Sequence, residues 1–271
     1  MTLEVQICTY GLAGLQRVAQ MTLPAVEGVC YRICMQNPDG TEVTLPAALR
    51  RPDVDFFQHP TRGLSINRNA ALDRAEADII LIADDDLHYS ADGFRAIIDT
   101  FAADPSLDFA TFQYSGPDAK AYPAAACDLR DPLPRGYYLT SFELAIRRTA
   151  LPATIRFSTQ MGIGAPFYGA GEENLLLYHL IRHGLKGRFI PIEICRHPGL
   201  STGSRQPTPA TLRAIGALIW VEHSNRNPLQ RYLFAPLRIL RRSHRPGVPY
   251  LTALRHILHG YIAAPRLLAA K

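Results

Sequence analysis

Nowhere in this 271-residue chain do about 18 apolar residues run together, which argues against a membrane-spanning helix. The opening "MTLEVQICTYG" has no basic stretch followed by an apolar one, so no secretory signal is read there and the protein is expected in the cytoplasm. Cysteine is scarce: Cys8, Cys30, Cys34, Cys127 and Cys195 are scattered and odd in number, and no partner Cys or His pair stands near Cys30 and Cys34 at zinc spacing. Buried, reduced thiols are expected from that pattern, not a disulfide framework. Internal repeats and low-complexity segments are missing as well. Acidic residues stop at Glu222, and nine Lys or Arg follow it. Taking those nine from the 29 basic residues leaves 20 against 24 acidic ones, so residues 1–222 carry −4 within a chain total of +5. The chain is a mildly acidic body with a strongly basic tail.

What remains is ordinary globular material, 47% apolar and 20% charged, enough for a sizeable core. Short apolar runs alternate with helical patterns through the first two-thirds, the signature of an α/β sheet. "LEVQIC", "VCYRICM", "VDFFQH" and "LDFATFQY" read as strands; "GLQRVAQM" and "SINRNAALDRAEA" read as helices. Ser90 is placed to cap the helix "ADGFRAIIDTF". Residues 115 to 137, rich in Pro, Ala and Gly, read as an insertion or loop, after which "YYLTSFELAIRR" resumes the sheet. A glycine-punctuated loop, "FSTQMGIGAPFYGAG", leads into the helix "EENLLLYHLIRHG", stopped by Gly184, and "LKGRFIPIEICRH" is the last strand. From Pro209 the pattern is helical, with breaks at Pro228, Pro246 and Pro249. Two regions are therefore expected: an α/β domain over 1–205 and a helical, basic segment over 206–271.

The most informative stretch is "IILIADDDLHYS", residues 79 to 90. A continuous apolar run suits a central strand covered on both faces, and it ends in Asp84, Asp85 and Asp86. Ligands of open α/β sheets bind at the carboxyl ends of strands. If strand geometry persists, Asp84 and Asp86 point one way and Asp85 the other. Two carboxylates on one side suit a hard divalent cation, Mg²⁺ or Mn²⁺, that bridges to substrate phosphates and offsets their repulsion. A solvated acidic loop capping a strand is the alternative.

"SINRNAALDRAEADIILIADDD" resembles the central segment of the family 2 glycosyltransferases, in which a helix with an Ala-Arg-Asn-like run leads into an apolar strand ending in an Asp-x-Asp motif. "VQICTYG" is similar to that family's opening strand, and "APFYGAGEENLLLYHLIRHGLKGRFIPIEICRH" to its acceptor-side segment. The resemblance covers roughly residues 3 to 200 and implies a GT-A fold: a Rossmann-type central mixed sheet flanked by helices. It implies an inverting, metal-dependent transfer of sugar from a nucleotide-diphosphate donor, a UDP-sugar foremost, to a hydroxyl of a saccharide or lipid-linked acceptor, in cell-surface polysaccharide or glycolipid assembly. It also implies roles. Thr9, Tyr10, Asn37, Asn67, Arg68, Asp84 and Asp85 would face the nucleotide, with Asp84 near the ribose. Asp86, with Asp84 and His197, would hold the cation. Glu173 would be the catalytic base, with Glu172 its neighbour. The family's usual Glu-Asp is Glu172-Glu173 here, which leaves open which carboxylate is the base, and "MQNPDG" departs from its Asp-rich Gly-Ser turn at Gln36, Asn37 and Asp39.

Each residue also has a plainer role open to it. Arg68 suits a salt bridge to Asp84 or Asp85, acidic residues in a first helical turn are stabilised by the helix dipole, and Tyr10 suits core packing. A nucleotidyltransferase, or an inactive sugar- or lipid-binding module of the same fold, are the competing readings; the first would want a Lys/Arg-bearing glycine loop early in the chain, of which "CTYGLAGLQR" is a poor version. In the tail, "PLQRYLFAPLRILRR" mixes large apolar residues with Arg at helical spacing. That pattern fits an anionic membrane surface, with a solvated helical appendage or an oligomer contact as alternatives; nucleic acid is not expected as a partner, because aromatics are few and no known nucleic-acid motif occurs.

Overall fold

Apolar residues on both faces place "IILIA" where a strand is covered on both sides, and all five residues of that strand, β4 (Ile79–Ala83), are buried. The computed structural model describes residues 1–199 and 207–268. Ahead of β4 come β1 (Leu3–Tyr10), α1 (Gly11–Gln20), β2 (Val29–Gln36), β3 (Val54–His59) and α2 (Leu64–Leu72). After it come β5 (His88–Tyr89), α3 (Ala91–Ala103), β6 (Phe109–Ser115), β7 (Cys127–Leu129), β8 (Leu144–Arg147), α4 (Glu172–Arg182) and β9 (Gly187–Arg196). Three helices close the chain: α5 (Pro209–Ser224), α6 (Pro228–Arg242) and α7 (Tyr250–Leu268).

The expected elements are present. The helix predicted over 65–77 ends earlier, at Leu72, and the resumption at 137–148 contributes only the short strand β8. The loop 115–137 contains β7, and β5 is a two-residue strand that no periodicity could announce. Ser90 does cap α3, its Oγ accepting from the Gly93 amide at 3.0 Å.

The strands form one mixed sheet of nine, in the order β3-β2-β1-β4-β8-β6-β9-β5, with β7 also paired to β9. β3, β2, β1 and β4 are mutually parallel. β8 runs antiparallel to both β4 and β6, and β6 is parallel to β9. The carboxyl ends of β1, β2, β3, β4, β6 and β9 therefore share one edge. The chain passes from β1 to β2 on one side and later returns to β4 on the other, so a topological switch point lies between β1 and β4, where such sheets open a crevice.

Two compact units divide the chain. The first, residues 1–62, 66–156 and 180–199 among those described, contains the whole sheet. Its core is built on Leu3, Val5, Ile7, Ile33, Leu81 and Phe94. β1 also buries Glu4 and Gln6: Arg32 lies 3.0 Å from Glu4, and Gln6 Nε2 donates to the Ala71 carbonyl at 2.8 Å, while Gln6 Oε1 meets no donor among the described residues. A buried charge without such a partner would be strongly destabilising. The five cysteines are all free thiols within strands; Cys8, Cys34 and Cys195 are buried, as expected from the sequence, whereas Cys30 and Cys127 are half-buried.

The second unit comprises residues 63–65, 157–179 and the described C-terminal helices. Thr208 caps α5 and Asn227 caps α6, each accepting from an amide of the first turn. Pro228 opens α6 where the missing N–H costs nothing. Leu212, Ile219, Ala235, Ile239, Ala253 and Ile257 form the core of this bundle. α5 and α7 approach backbone to backbone: a Cβ at Gly216 would lie 1.9 Å from the Ile257 carbonyl oxygen. No described helix is long and apolar enough to cross a membrane.

Candidate active site

β4 stops at Ala83 and the chain turns at Asp85 and Asp86, so strand alternation does not carry through the aspartates. Each carboxylate instead meets its own partners. Asp84 accepts from Arg68 Nη2 at 2.7 Å and faces Ser141 Oγ at 3.4 Å. Asp85 accepts from Thr9 Oγ1 at the end of β1 and from Arg17 of α1, at 2.7 Å from Nη2 and 3.1 Å from Nε. Asp86 lies 3.4 Å from His197 Nε2, just beyond β9, and keeps 43% of its side chain exposed. This separation into three directions relieves the repulsion of three adjacent charges.

Gly14 makes the Asp85 arrangement sterically feasible. A Cβ there would stand 2.0 Å from Thr9 Oγ1 and 3.1 Å from Asp85 Oδ2. The absence of a side chain lets α1 approach β1 closely enough for Arg17 to reach the triplet.

Arg68 is 2% exposed and shares its Nη2 between Asp84 and Ser141 Oγ, the latter at 2.8 Å. It therefore holds the acidic turn to α2 from beneath. Removing one partner of a buried pair typically costs about 3–5 kcal/mol, and the one-third exposure of Asp84 lowers that cost. Arg68→Met is expected to destabilise the protein by about 3 kcal/mol, or roughly 5–10 °C in Tm; a calorimetric scan checks this, and an unchanged Tm would deny Arg68 that role.

Asn67 is buried and fully committed. Its Nδ2 donates to the carbonyls of Thr9 and Cys34, both at 3.0 Å, while Oδ1 lies 2.9 Å from His59 Nε2 and 2.7 Å from Cys34 Sγ. Asn37 likewise spends its amide within the fold, donating to the Thr41 carbonyl of its own loop and to Gln58 Oε1 of β3, both at 2.8 Å. Both residues shape the edge from inside. Tyr10, by contrast, is 44% exposed. Its hydroxyl accepts from Arg62 Nη1 at 2.7 Å, the Arg62 guanidinium lies 5.9 Å from its ring centre, and Arg62 also reaches Asp39 at 3.0 Å. An exposed aromatic ring with an arginine beside it, at the mouth of β1 and β2, is suited to stack a base.

His197 is buried between two carboxylates, Asp86 on Nε2 and Asp118 on Nδ1 at 3.3 Å. The hydrogen bond to Asp86 and then the charges of both carboxylates hold its pKa up at about 8, against the effect of burial. An exposed carboxylate oxygen beside an imidazole nitrogen, oriented by a further carboxylate, is a donor set that suits Mn²⁺ or Mg²⁺. Among the described residues no group of three or more His, Cys, Asp or Glu is arranged to hold a metal by itself. Asp84, expected to share the cation, is instead turned to Arg68. Asp86 and His197 fit a cation whose remaining ligands are phosphate oxygens and water, the usual arrangement for Mg²⁺ with a nucleotide.

In the second unit, Glu172 and Glu173 open α4. Glu172 is buried, whereas Glu173 is half-buried and its Oε1 accepts from Asn174 Nδ2 at 2.6 Å. Of the pair, Glu173 is the one that solvent reaches more freely.

Arg17, Arg62, Asp118 and Ser141 contribute to the first-unit site and were not picked out from sequence. Only Arg17 left a signal there, as the basic residue of "CTYGLAGLQR".

Residues 36–162 match the model of the family described as glycosyl transferase family 2. No curated protein matches the chain. Among solved structures, residues 1–349 of S. aureus TarS are similar at 16% identity and a TM-score of 0.65, over 99% of this chain and 83% of that one. The same fragment in complex with UDP-GlcNAc gives a TM-score of 0.64 at 16% identity, with the same coverage. A mannosyltransferase from Pyrobaculum calidifontis, in complex with GDP-Man and Mn²⁺, is 12% identical with a TM-score of 0.55, over 97% of this chain and 86% of that one. At these identities the likeness is one of fold, and the fold is GT-A.

Proposed function

We propose, from the match of residues 36–162 to the glycosyl transferase family 2 model, that this chain is a glycosyltransferase that moves a sugar from a nucleotide-diphosphate donor, a UDP-sugar foremost, to a hydroxyl of a saccharide or lipid-linked acceptor, with inversion. The observation that carries this reading is the acidic turn itself: three carboxylates at the switch point of the sheet, of which Asp86 alone binds no arginine among the described residues and stands open beside an imidazole. The UDP-GlcNAc complex of TarS and the GDP-Man and Mn²⁺ complex of the mannosyltransferase support a nucleotide-sugar donor and a divalent cation on this fold.

In this reading Tyr10, with Arg62, stacks the base. Asp84 lies toward the ribose and Thr9 and Asp85 face the nucleotide beside it, with Arg17 holding Asp85 in place. Arg68 fixes Asp84 from below. Asp86 and His197 would hold Mn²⁺ or Mg²⁺, which when bound offsets the charge of the departing diphosphate. Glu173 takes the proton of the acceptor hydroxyl as it attacks, and Glu172 is its buried neighbour. A single displacement with inversion is the scheme that the family resemblance implies, with Glu173 as general base. Assembly of a surface polysaccharide or glycolipid is the process that such an acceptor belongs to.

The test is release of nucleotide from a panel of UDP- and GDP-sugars with mixed saccharide acceptors, the anomeric configuration of the product being read by NMR. Inverted product from one donor supports the proposal; nucleotidyl transfer to a sugar phosphate would replace it with the competing enzyme class.

His197 gives a pH dependence. Its folded pKa, at about 8, lies above the ordinary 6.5, so the stability it contributes is complete below about pH 6.5 and is lost as pH rises through about 8. A cation on Nε2 requires the neutral ring, so Mn²⁺ affinity should fall about tenfold for each pH unit below 8. Titrations at pH 6, 7 and 8 check this, and His197→Gln should flatten the dependence.

A further inference from the structure

An amphipathic helix at a protein surface ordinarily turns its apolar stripe to the core. α6 does the reverse. Its contact with the bundle is made by Ala235 and Ile239, on one narrow side. Leu229, Leu233, Leu237 and Leu240 recur at helical spacing on another side and face solvent, with Leu229 70% and Leu237 61% exposed. Tyr232, 77% exposed, borders the same row. The next side carries Arg231, Arg238, Arg241 and Arg242. Arg238 is paired with Glu222, the last acidic residue of the chain, and α6 and α7 contain none. α7 repeats the arrangement, with Leu251, Leu258 and Ile262 exposed in a row and Arg255 and Arg266 on the adjoining side.

We propose that the exposed face of α6, with the matching row on α7, docks onto an anionic lipid surface. Exposed leucines at this density are costly in water unless covered. The charge pattern selects the cover. A second copy meeting this face about a twofold axis would set the same arginines against one another, with no carboxylate after Glu222 to offset them. A bilayer with anionic headgroups takes both features together: the leucines enter the acyl boundary while the arginines extend along the helix to the phosphates. At about 22 Å, α6 is long enough to lie in the interface and too short to cross it. This inference is independent of the transferase reading and can fail or stand without it.

The experiment is sedimentation of the full-length chain with phosphatidylcholine vesicles and with vesicles containing about 30% phosphatidylglycerol, at low and high salt. Binding to the anionic vesicles is expected, weakened by salt and lowered at least about tenfold by Leu233→Gln with Leu237→Gln, and separately by Arg231→Gln with Arg241→Gln and Arg242→Gln. All these side chains lie at or near the surface, so circular dichroism should show unchanged melting, and that control keeps lost folding apart from lost binding. No binding by the folded wild-type chain would overturn the proposal. So would equal binding to both vesicle types, or a dimer that the leucine variants dissolve.

Discussion

Asp86→Ala is expected to lower sugar transfer by about 10³-fold while leaving the protein folded. The size follows from the role: a cation that stabilises the leaving diphosphate contributes several kcal/mol to the transition state, and about 4 kcal/mol corresponds to 10³ in rate. Folding should survive because Asp86 is the carboxylate that the structure leaves open, at 43% exposure and with no arginine bound among the described residues. Loss of Asp86 also removes the first support of the raised His197 pKa, so in the variant the fall of Mn²⁺ affinity with acid should begin at a lower pH than in the wild type, on top of the lost affinity. Asp85→Ala gives the contrast, since it releases Arg17 and Thr9 and should weaken donor binding more than turnover. Steady-state kinetics with saturating Mn²⁺ separate the two. If Asp86→Ala retained more than about a tenth of wild-type kcat, a fall well short of the several kcal/mol expected for such a cation, the assignment would fail.

The second large effect belongs to Glu173→Gln. Losing a positioned general base costs about 10²–10⁴-fold, and the amide keeps the shape and the hydrogen bond from Asn174. Nucleotide affinity should therefore stay within about twofold while kcat collapses, the pattern of an interaction made only in the transition state. Glu172→Gln should behave differently. Glu172 is buried, with Gly162 so close that an added Cβ would stand 3.1 Å from its carboxylate. Its replacement should lower Tm before it lowers kcat. The reverse result, a dead but fully stable Glu172→Gln beside an active Glu173→Gln, would move the base to Glu172.

Local pattern carried the sheet well. β4 was legible because five apolar residues with no alternation fit only a strand covered on both faces, and β3 was legible to the residue because turn formers close it. The Ser90 cap needs only its own neighbours. The two-residue β5 and the short β7 are held by pairing with β9, and sequence periodicity has nothing to register over two or three residues. The site divides in the same way. Asp84, Asp85 and Asp86 announce themselves as a triplet at a strand end. Their partners do not, because Ser141 and Arg17 lie 57 and 68 residues away from the carboxylates they meet, and Asp118 sits in a Pro- and Gly-rich loop without a pattern. The parallel geometry expected for Asp84 and Asp86 assumed that the strand continued; it ends one residue earlier, and the turn sends the carboxylates apart. Asn67 shows the opposite lesson. Its position matched a motif, yet its amide is spent on the backbones of β1 and β2, a commitment that only the fold reveals.

The central claim is that the acidic turn after β4 binds a nucleotide diphosphate through a divalent cation. Calorimetric titration of the wild-type protein with UDP and with GDP, in Mn²⁺ and again after EDTA, tests it most directly. The account predicts that one of the two nucleotides, UDP foremost, binds with Mn²⁺ and that this binding is lost on chelation. Binding of neither nucleotide in the presence of Mn²⁺, or binding that EDTA leaves unchanged, would contradict it.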